Sequence, residues 1–214
     1  FAHLTVDPQR PMRRPISIMR ASAEGGWVDF LYKALGEGTQ LLAQRGRGEL
    51  ISVLGPIGIP FDIKEKRPLL IGGGVGMPPM IFIADSLRGT GQQPFVVLGS
   101  EVPFPFTPKP SQFMPRGLPD GVIGAMPLLE DWGVPARLTS LQGYDGCFDG
   151  YVTVLADAWL DAGTDPRALQ ALLVPAPDGV LQGVTRRIVL ELARRRGVTV
   201  AVEAPRRDDL PRRP

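Results

Sequence analysis

Residues 68–80 read PLLIGGGVGMPPM, an apolar run that ends in four glycines among five residues and then two prolines. Without a Cβ, glycine lets backbone approach a bound anion closely, and proline is tolerated in the first turn of a helix, where its missing N–H had no partner. The loop Gly72-Gly73-Gly74-Val75-Gly76-Met77-Pro78 therefore reads as a strand-to-helix turn at which a pyrophosphate or a nicotinamide ring could lie. Met77 stands where the pattern G-x-G-x-x-G, begun at Gly72 and Gly74, would place its third glycine. The alternative is that these glycines serve only close strand–helix packing. Two further stretches offer anion chemistry. RRPISI at residues 13–18 places the Arg14 guanidinium, the rigid Pro15, Ile16 and the Ser17 hydroxyl on one extended segment. From there Arg14 can fork onto a diphosphate, and Ser17 can address a ring system further along a groove. GEGT at residues 36–39 offers a concave set of backbone amides at Gly36, Gly38 and Thr39. An arginine and an amide nest in one module, with a glycine loop in the next, suit two dinucleotides meeting at a boundary.

The other reactive side chains are few. His3, the single histidine, has no cysteine or acid at ligand spacing and is expected to face solvent. One cysteine, Cys147, excludes an internal disulfide, a CxxC zinc site and an all-cysteine iron–sulfur cluster held by this chain alone. It reads as a small buried residue rather than a redox thiol. No catalytic side chain and no metal-ligand set stands out. A content of 43% hydrophobic and 21% charged residues, with 23 Pro and 26 Gly, is that of a folded chain rich in turns. No run of about 18 apolar residues is free of Gly and Pro, and the opening FAHLTVDPQR has no apolar signal core, so no membrane span and a cytoplasmic location are expected. The formal charge of +2 is uneven: residues 185–214 carry nine arginines and four acids, a net +5, which leaves −3 elsewhere. A nucleic-acid patch is one reading. Arginines on the outer face of a surface helix is the other, and it is preferred because no aromatic lies among them to stack on bases.

These residues require elements to hold them. FAHLTV alternates like a strand, already under way at the first residue, and RRPISIMRA, GGWVDFLYKAL and GELISVLGPIG read as further strands of an antiparallel module with turns at Gly25-Gly26 and residues 46–48. The charged link DIKEKR follows. PLLIGGG and PFVVLGS then read as buried strands flanking a helix in PPMIFIADSLRG, a βαβ unit of a parallel sheet. Residues 101–119 carry too many prolines for a regular element and form a functional loop or a lid. GVIGAM and ARLTSL read as strands, GYVTVLADAWLDAG as a helix, and ALLV and VTVAV as later strands bracketing an amphipathic helix in GVTRRIVLELARRR.

The motifs RRPISI, LYKALGEGTQLL, ISVLGPIG and LLIGGGVGMPP, in this order and spacing, resemble the ferredoxin-NADP reductase superfamily and within it the electron-transfer subunits of dihydroorotate dehydrogenases. The resemblance covers roughly residues 1–160. It implies a short antiparallel β-barrel that holds FAD (residues 1–63), then an α/β parallel-sheet nicotinamide-binding domain (residues 68–204) and a basic tail (residues 205–214). It also implies that Arg14, Pro15, Ile16 and Ser17 hold FAD, that Gly36, Gly38 and Thr39 line its pyrophosphate, and that Gly72 to Pro78 receive NADH. Glu101, at the end of PFVVLGS, would lie beside the adenosine ribose, with Lys109 the nearest following cation. The implied function is NADH-to-FAD electron transfer to a partner, a catalytic dehydrogenase subunit of pyrimidine biosynthesis, with no nucleic acid or membrane involved. Two departures stand out. The cysteines for the family's [2Fe–2S] cluster are absent, and the barrel is short, which predicts an open sheet edge. A second resemblance, over residues 173–210, is to class IV aminotransferases, whose phosphate-binding turn matches Leu181 to Arg186. A non-catalytic relative without flavin and a pyridoxal-phosphate fragment are the competing readings.

Overall fold

The computed structural model describes residues 1–7, 12–162, 169–172, 195 and 199–201. Its first part is antiparallel. β1 (Ala2–Thr5) lies between β2 (Arg14–Ile16) and β5 (Ser52–Leu54), and β3 (Ile18–Ser22) forms a hairpin with β4 (Trp27–Phe30). The segment expected as one strand, RRPISIMRA, is broken at Ser17: β2 pairs with β1 and β3 pairs with β4, with an irregular register between Ile18 and Arg20. Alternation places Ala2, Leu4 and Val6 inward, where they meet Ile16 and Leu42, the latter from α1 (Glu37–Ala43). Among the described residues these strands do not close. They lie in two sheets, β2–β1–β5 and β3–β4, which agrees with the open edge expected of a short barrel.

From residue 67 the pattern is α/β. Six strands stand in the order β11 (Phe148–Asp149), β10 (Ala136–Ser140), β7 (Phe95–Gly99), β6 (Arg67–Gly73), β12 (Leu169–Leu172), β13 (Thr199–Ala201), and every pairing is parallel. The sequence reason is visible in the strands. Leu70, Val96, Leu98, Ala136 and Leu138 point toward α2 (Met77–Ser86), whereas Leu69, Ile71, Phe95 and Val97 point toward α4 (Val152–Asp161). Strands covered on both faces read as unbroken apolar runs. The helix expected in residues 183–196 lies outside the described residues, apart from the helical Arg195. No described helix is long and apolar enough to cross a membrane.

The proline-rich run differs from expectation. Two residues of it, β8 (Lys109–Pro110), pair antiparallel with β9 (Gly124–Ala125), which removes GVIGAM from the parallel sheet. A short α3 (Pro127–Asp131), with Pro at its first position, follows. The run is a fixed strap rather than a lid. Arg137 of β10, fully buried, donates to the carbonyls of Phe113 (2.6 Å), Val122 (2.8 Å) and Ala136 (2.6 Å). Glu130 of α3 accepts from the Ser111 hydroxyl at 2.5 Å and from the Gln112 N–H at 3.0 Å. Burial lowers the pKa of the Arg137 guanidinium, and the Glu130 carboxylate opposes that shift. Arg137→Met removes a donor from three carbonyls, of which only that of Phe113 keeps another, the Ser111 hydroxyl at 3.1 Å, and a decrease in stability of about 3 kcal/mol is expected. A lower urea midpoint at unchanged slope would show it.

Candidate functional site

β6 is the first strand of the parallel sheet. The chain steps outward from it through β7, β10 and β11, then returns to its other side with β12 and β13. Loops on the two sides of such a strand diverge, leaving a crevice at its carboxyl end. The glycine turn, a single 3-10 turn at Gly74–Gly76, occupies that crevice. The two readings of the glycines apply to different residues. A Cβ on Gly72 would lie 2.6 Å from the Gly76 carbonyl oxygen and 2.9 Å from Met80 Cγ, so Gly72 serves close packing. Gly76 would meet nothing within 4 Å, and Gly73 only a Val152 methyl at 4.0 Å. Gly74 has a φ of +56°, a backbone region glycine enters without strain. Val75 is 58% exposed, while Met77 and Pro78 are buried in the core beneath the turn. The turn thus presents Gly73 to Gly76 as an open backbone surface with one apolar side chain.

On the antiparallel side, Arg14 reaches across to the first turn of α1. A Cβ on Gly38 would clash with Arg14 Nε and lie 2.8 Å from its Cζ and Nη2, so the guanidinium rests on Gly38 because that residue has no side chain. Arg14 Nη1 donates to the Met12 carbonyl at 3.3 Å, and the rest of its fork has no partner among the described residues. Thr39 Oγ1 accepts from Gly36 N–H at 3.1 Å and donates to the Gly36 carbonyl at 2.9 Å, which shapes the turn but occupies the hydroxyl. Pro15 is exposed, Ser17 is half-buried with no hydroxyl partner among the described residues, and Ile16 is buried in the strand core. Arg14 and Gly38 therefore come together, with Gly36 open at the cap of the same helix, whereas Ile16 contributes packing.

The structure adds a residue that sequence reasoning missed. Lys33, between β4 and α1, places its Nζ 3.8 Å from where a Cβ of Gly74 would stand, and it has no side-chain partner among the described residues. Packing puts it there, since Met19 and Leu31 lie against the core that contains Met77, Met80 and Ile81. A lone cation just before a glycine turn was the available signal. Helix α4 was also unforeseen as a neighbour: a Cβ on Gly99 would lie 2.5 Å from Val152 and 2.6 Å from Thr139 Oγ1. At the far end of the crevice Glu101 is exposed just beyond β7, and its carbonyl accepts from Gln142 Nε2 at 3.4 Å. Lys109 does not fold back to it but pairs with Asp131 at 2.7 Å. A cavity of about 600 Å³ between Arg67, Arg88, Trp132 and Trp159 lies at the opposite, amino-terminal edge and includes none of these residues. The Cys147 thiol is half-buried, and its pKa is raised by burial and by nearby Asp145. No three His, Cys, Asp or Glu side chains gather among the described residues.

No protein-family model matches the chain. Among curated proteins it is similar to "Dihydroorotate dehydrogenase B (NAD(+)), electron transfer subunit" of Bacillus mycoides (strain KBAB4), 40% identical over 92 residues, and to the same protein of Bacillus cereus (strain G9842) at 41%. Each match covers 41% of this chain and 36% of the relative, so the chain matches about a third of the length of these proteins. Among solved structures it is similar to an NADH-dependent reduced ferredoxin-NADP oxidoreductase (TM-score 0.66, 23% identity, 94% of this chain and 63% of that one). A second is the ferredoxin reductase in carbazole 1,9a-dioxygenase (TM-score 0.62, 17% identity, 92% and 56%). The fold is thus of the ferredoxin-NADP reductase kind, an antiparallel part followed by a parallel sheet. The aminotransferase-like turn, Leu181 to Arg186, lies outside the described residues.

Because Gly72 is packed against its own loop, Gly72→Ala must displace either the Gly76 carbonyl or Met80. A loss of about 1–3 kcal/mol is expected, seen as a lower Tm, whereas Gly76→Ala at the open position should leave Tm nearly unchanged.

Proposed function

We propose that the chain is a flavin-dependent electron-transfer module fed by NADH. The observation that carries this reading is the pair of cations without an acidic partner among the described residues, Arg14 on Gly38 and Lys33 at Gly74, which face backbone stripped of side chains. Such surfaces suit diphosphates. The likeness to subunits named for electron transfer in an NAD(+) enzyme supports it. In this reading residues 1–63 hold FAD, residues 68–204 hold NADH, and residues 205–214 form a basic tail. A flavin bound here would supply the chemistry of taking hydride from NADH and passing on single electrons. The chain's residues position. Arg14 neutralises the FAD diphosphate across Gly36 and Gly38, with Pro15 and Ser17 along the same groove. Gly73, Gly74 and Gly76 admit NADH close to the backbone, Lys33 offers a cation to its diphosphate, and Val75 offers apolar contact. No side-chain acid or base is required, because hydride transfer moves no proton. The acceptor is a catalytic dehydrogenase subunit, by likeness to the relatives' names.

A [2Fe–2S] cluster does not fit these residues. One cysteine cannot supply the ligand set, and its burial-raised pKa disfavours the thiolate a metal needs. No step is assigned to a cluster.

An absorbance spectrum of the purified protein tests the reading, since bound FAD gives bands at roughly 370 and 450 nm. A colourless protein that does not take up added FAD would favour the non-catalytic alternative. Arg14→Ala removes a charge-assisted contact of about 1.5–3 kcal/mol, so FAD affinity should fall about ten- to a hundredfold with the fold kept by circular dichroism. Unchanged flavin stoichiometry on dilution would refute the assignment.

Glu101 sets the nicotinamide preference. A carboxylate accepts a hydrogen bond from a ribose hydroxyl and repels a 2′-phosphate, and Lys109 is engaged with Asp131. In stopped-flow reduction of the bound flavin NADH should therefore outpace NADPH, and Glu101→Gln should narrow the gap.

A further inference from the structure

The loops that follow β7 and β10 at the far end of the crevice are tied to each other by serine side chains. Main-chain pairing of the two strands ends where the Ser100 N–H donates to the Thr139 carbonyl at 3.1 Å. Beyond that point the hydroxyls continue it. Ser140 Oγ donates to the Ser100 carbonyl at 2.9 Å and accepts from the Gln142 N–H at 3.2 Å, while Ser100 Oγ accepts from the Val102 N–H at 3.3 Å. Both serines are buried, so these bonds are costly to leave unmade. Glu101 leaves β7 directly after Ser100, exposed and with no side-chain partner among the described residues. Its direction is therefore set by its backbone. The peptides on both sides of it are held from β10, the Ser100 carbonyl by Ser140 and the Glu101 carbonyl by Gln142 at 3.4 Å.

We propose that Ser140 is a positioning residue for nicotinamide selectivity, acting through Glu101 by fixing the peptide from which that side chain departs. This rests on the reading of Glu101 given above. A hydroxyl has one proton to donate, and Ser140 uses its proton on the Ser100 carbonyl. None is left for a 2′-phosphate or a ribose oxygen, so Ser140 acts behind the loop and not on the ligand. Both effects assigned to Glu101 depend on where its carboxylate stands. A hydrogen bond from a ribose hydroxyl requires an approach within about 3 Å, and repulsion of a 2′-phosphate weakens as the separation grows. A loop free to turn at the Ser100–Glu101 peptide would lose part of each.

Calorimetric titration of the protein with NADH and with NADPH tests it, the quantity read being the ratio of the Kd for NADPH to that for NADH. Ser140→Ala should lower this ratio at least about threefold. The limiting rate of flavin reduction by NADH should be kept, because neither Ser140 nor Glu101 stands at the glycine turn. Ser140→Thr retains the hydroxyl and should retain the ratio. In the Glu101→Gln background Ser140→Ala should change the ratio no further, since the carboxylate it aims is gone. Without any nucleotide, the Val102 and Gln142 amides should exchange hydrogen faster in Ser140→Ala than in the wild type. A wild type that prefers NADH, with a ratio unmoved by Ser140→Ala, would overturn the positioning role and leave the reading of Glu101 standing. A wild type without preference would remove both. An equal fall in Ser140→Thr would assign the effect to packing. A rise in Ser140→Ala would make the hydroxyl a direct ligand of the 2′-phosphate, and a further fall in the Glu101→Gln background would mean that Ser140 acts by another route; each of these outcomes overturns the proposal.

Discussion

The packing of the β3–β4 hairpin on α2 is the contact on which the candidate site depends. Met19 and the neighbouring Leu31 lie against the core built from Leu70, Met77, Met80 and Ile81. Because α2 begins immediately after the glycine turn, whatever rests on α2 is positioned relative to that turn. Lys33 comes two residues after Leu31, and its reach to Gly74 is a direct consequence. Arg14 stands on β2, which pairs with β1 and leads directly into β3 of that hairpin. One apolar contact thus positions two cations against two glycine-bearing turns.

The electrostatics follow from that placement. A cation about 4 Å from an anion gains roughly 1 kcal/mol in water and about 4 kcal/mol at the effective dielectric of a protein surface. Arg14 and Lys33 are therefore most useful where water is partly excluded, between the two parts of the chain. Their chemistry differs in a way that suits their neighbours. The planar guanidinium can lie flat on Gly38 and still direct donors outward, whereas the ammonium at Gly74 acts as a point charge. Glu101, beyond the end of β7, gives the opposite sign at the far end of the same crevice.

Much of this arrangement was legible in the sequence. Unbroken apolar runs announced strands buried on both faces, and glycines followed by prolines announced the strand-to-helix turn. What the residue pattern could not separate was the job of each glycine. Gly72 and Gly38 touch neighbours that are four residues and twenty-four residues away in the chain, and only the second contact, with Arg14, bears on the proposed site. Lys33 and Arg137 were missed for the same reason, since their partners are non-local. Arg137 satisfies carbonyls at Phe113 and Val122, a role that no periodicity encodes. The strap was read as structureless because its prolines forbid long elements, but a pinned loop needs only a few buried donors.

The end of the chain bears on the site through the sheet. β6 would be an edge strand if β12 did not pair with it, and its residues Leu69 and Leu70 stand opposite Ala171 and Leu172 in that pairing. A strand can be a switch point only when neighbours on both sides lead the chain away from it. Removing β12 would turn the crevice at Gly73 into an open flank and expose the backbone of a strand whose side chains are otherwise buried. The strand patterns flanking the aminotransferase-like turn therefore have a structural cause, with β12 and β13 parallel and adjacent in the same sheet as the glycine loop. A pyridoxal-phosphate site is not needed to account for them. The segment's first requirement is to complete the sheet that holds the nicotinamide end of the proposed site.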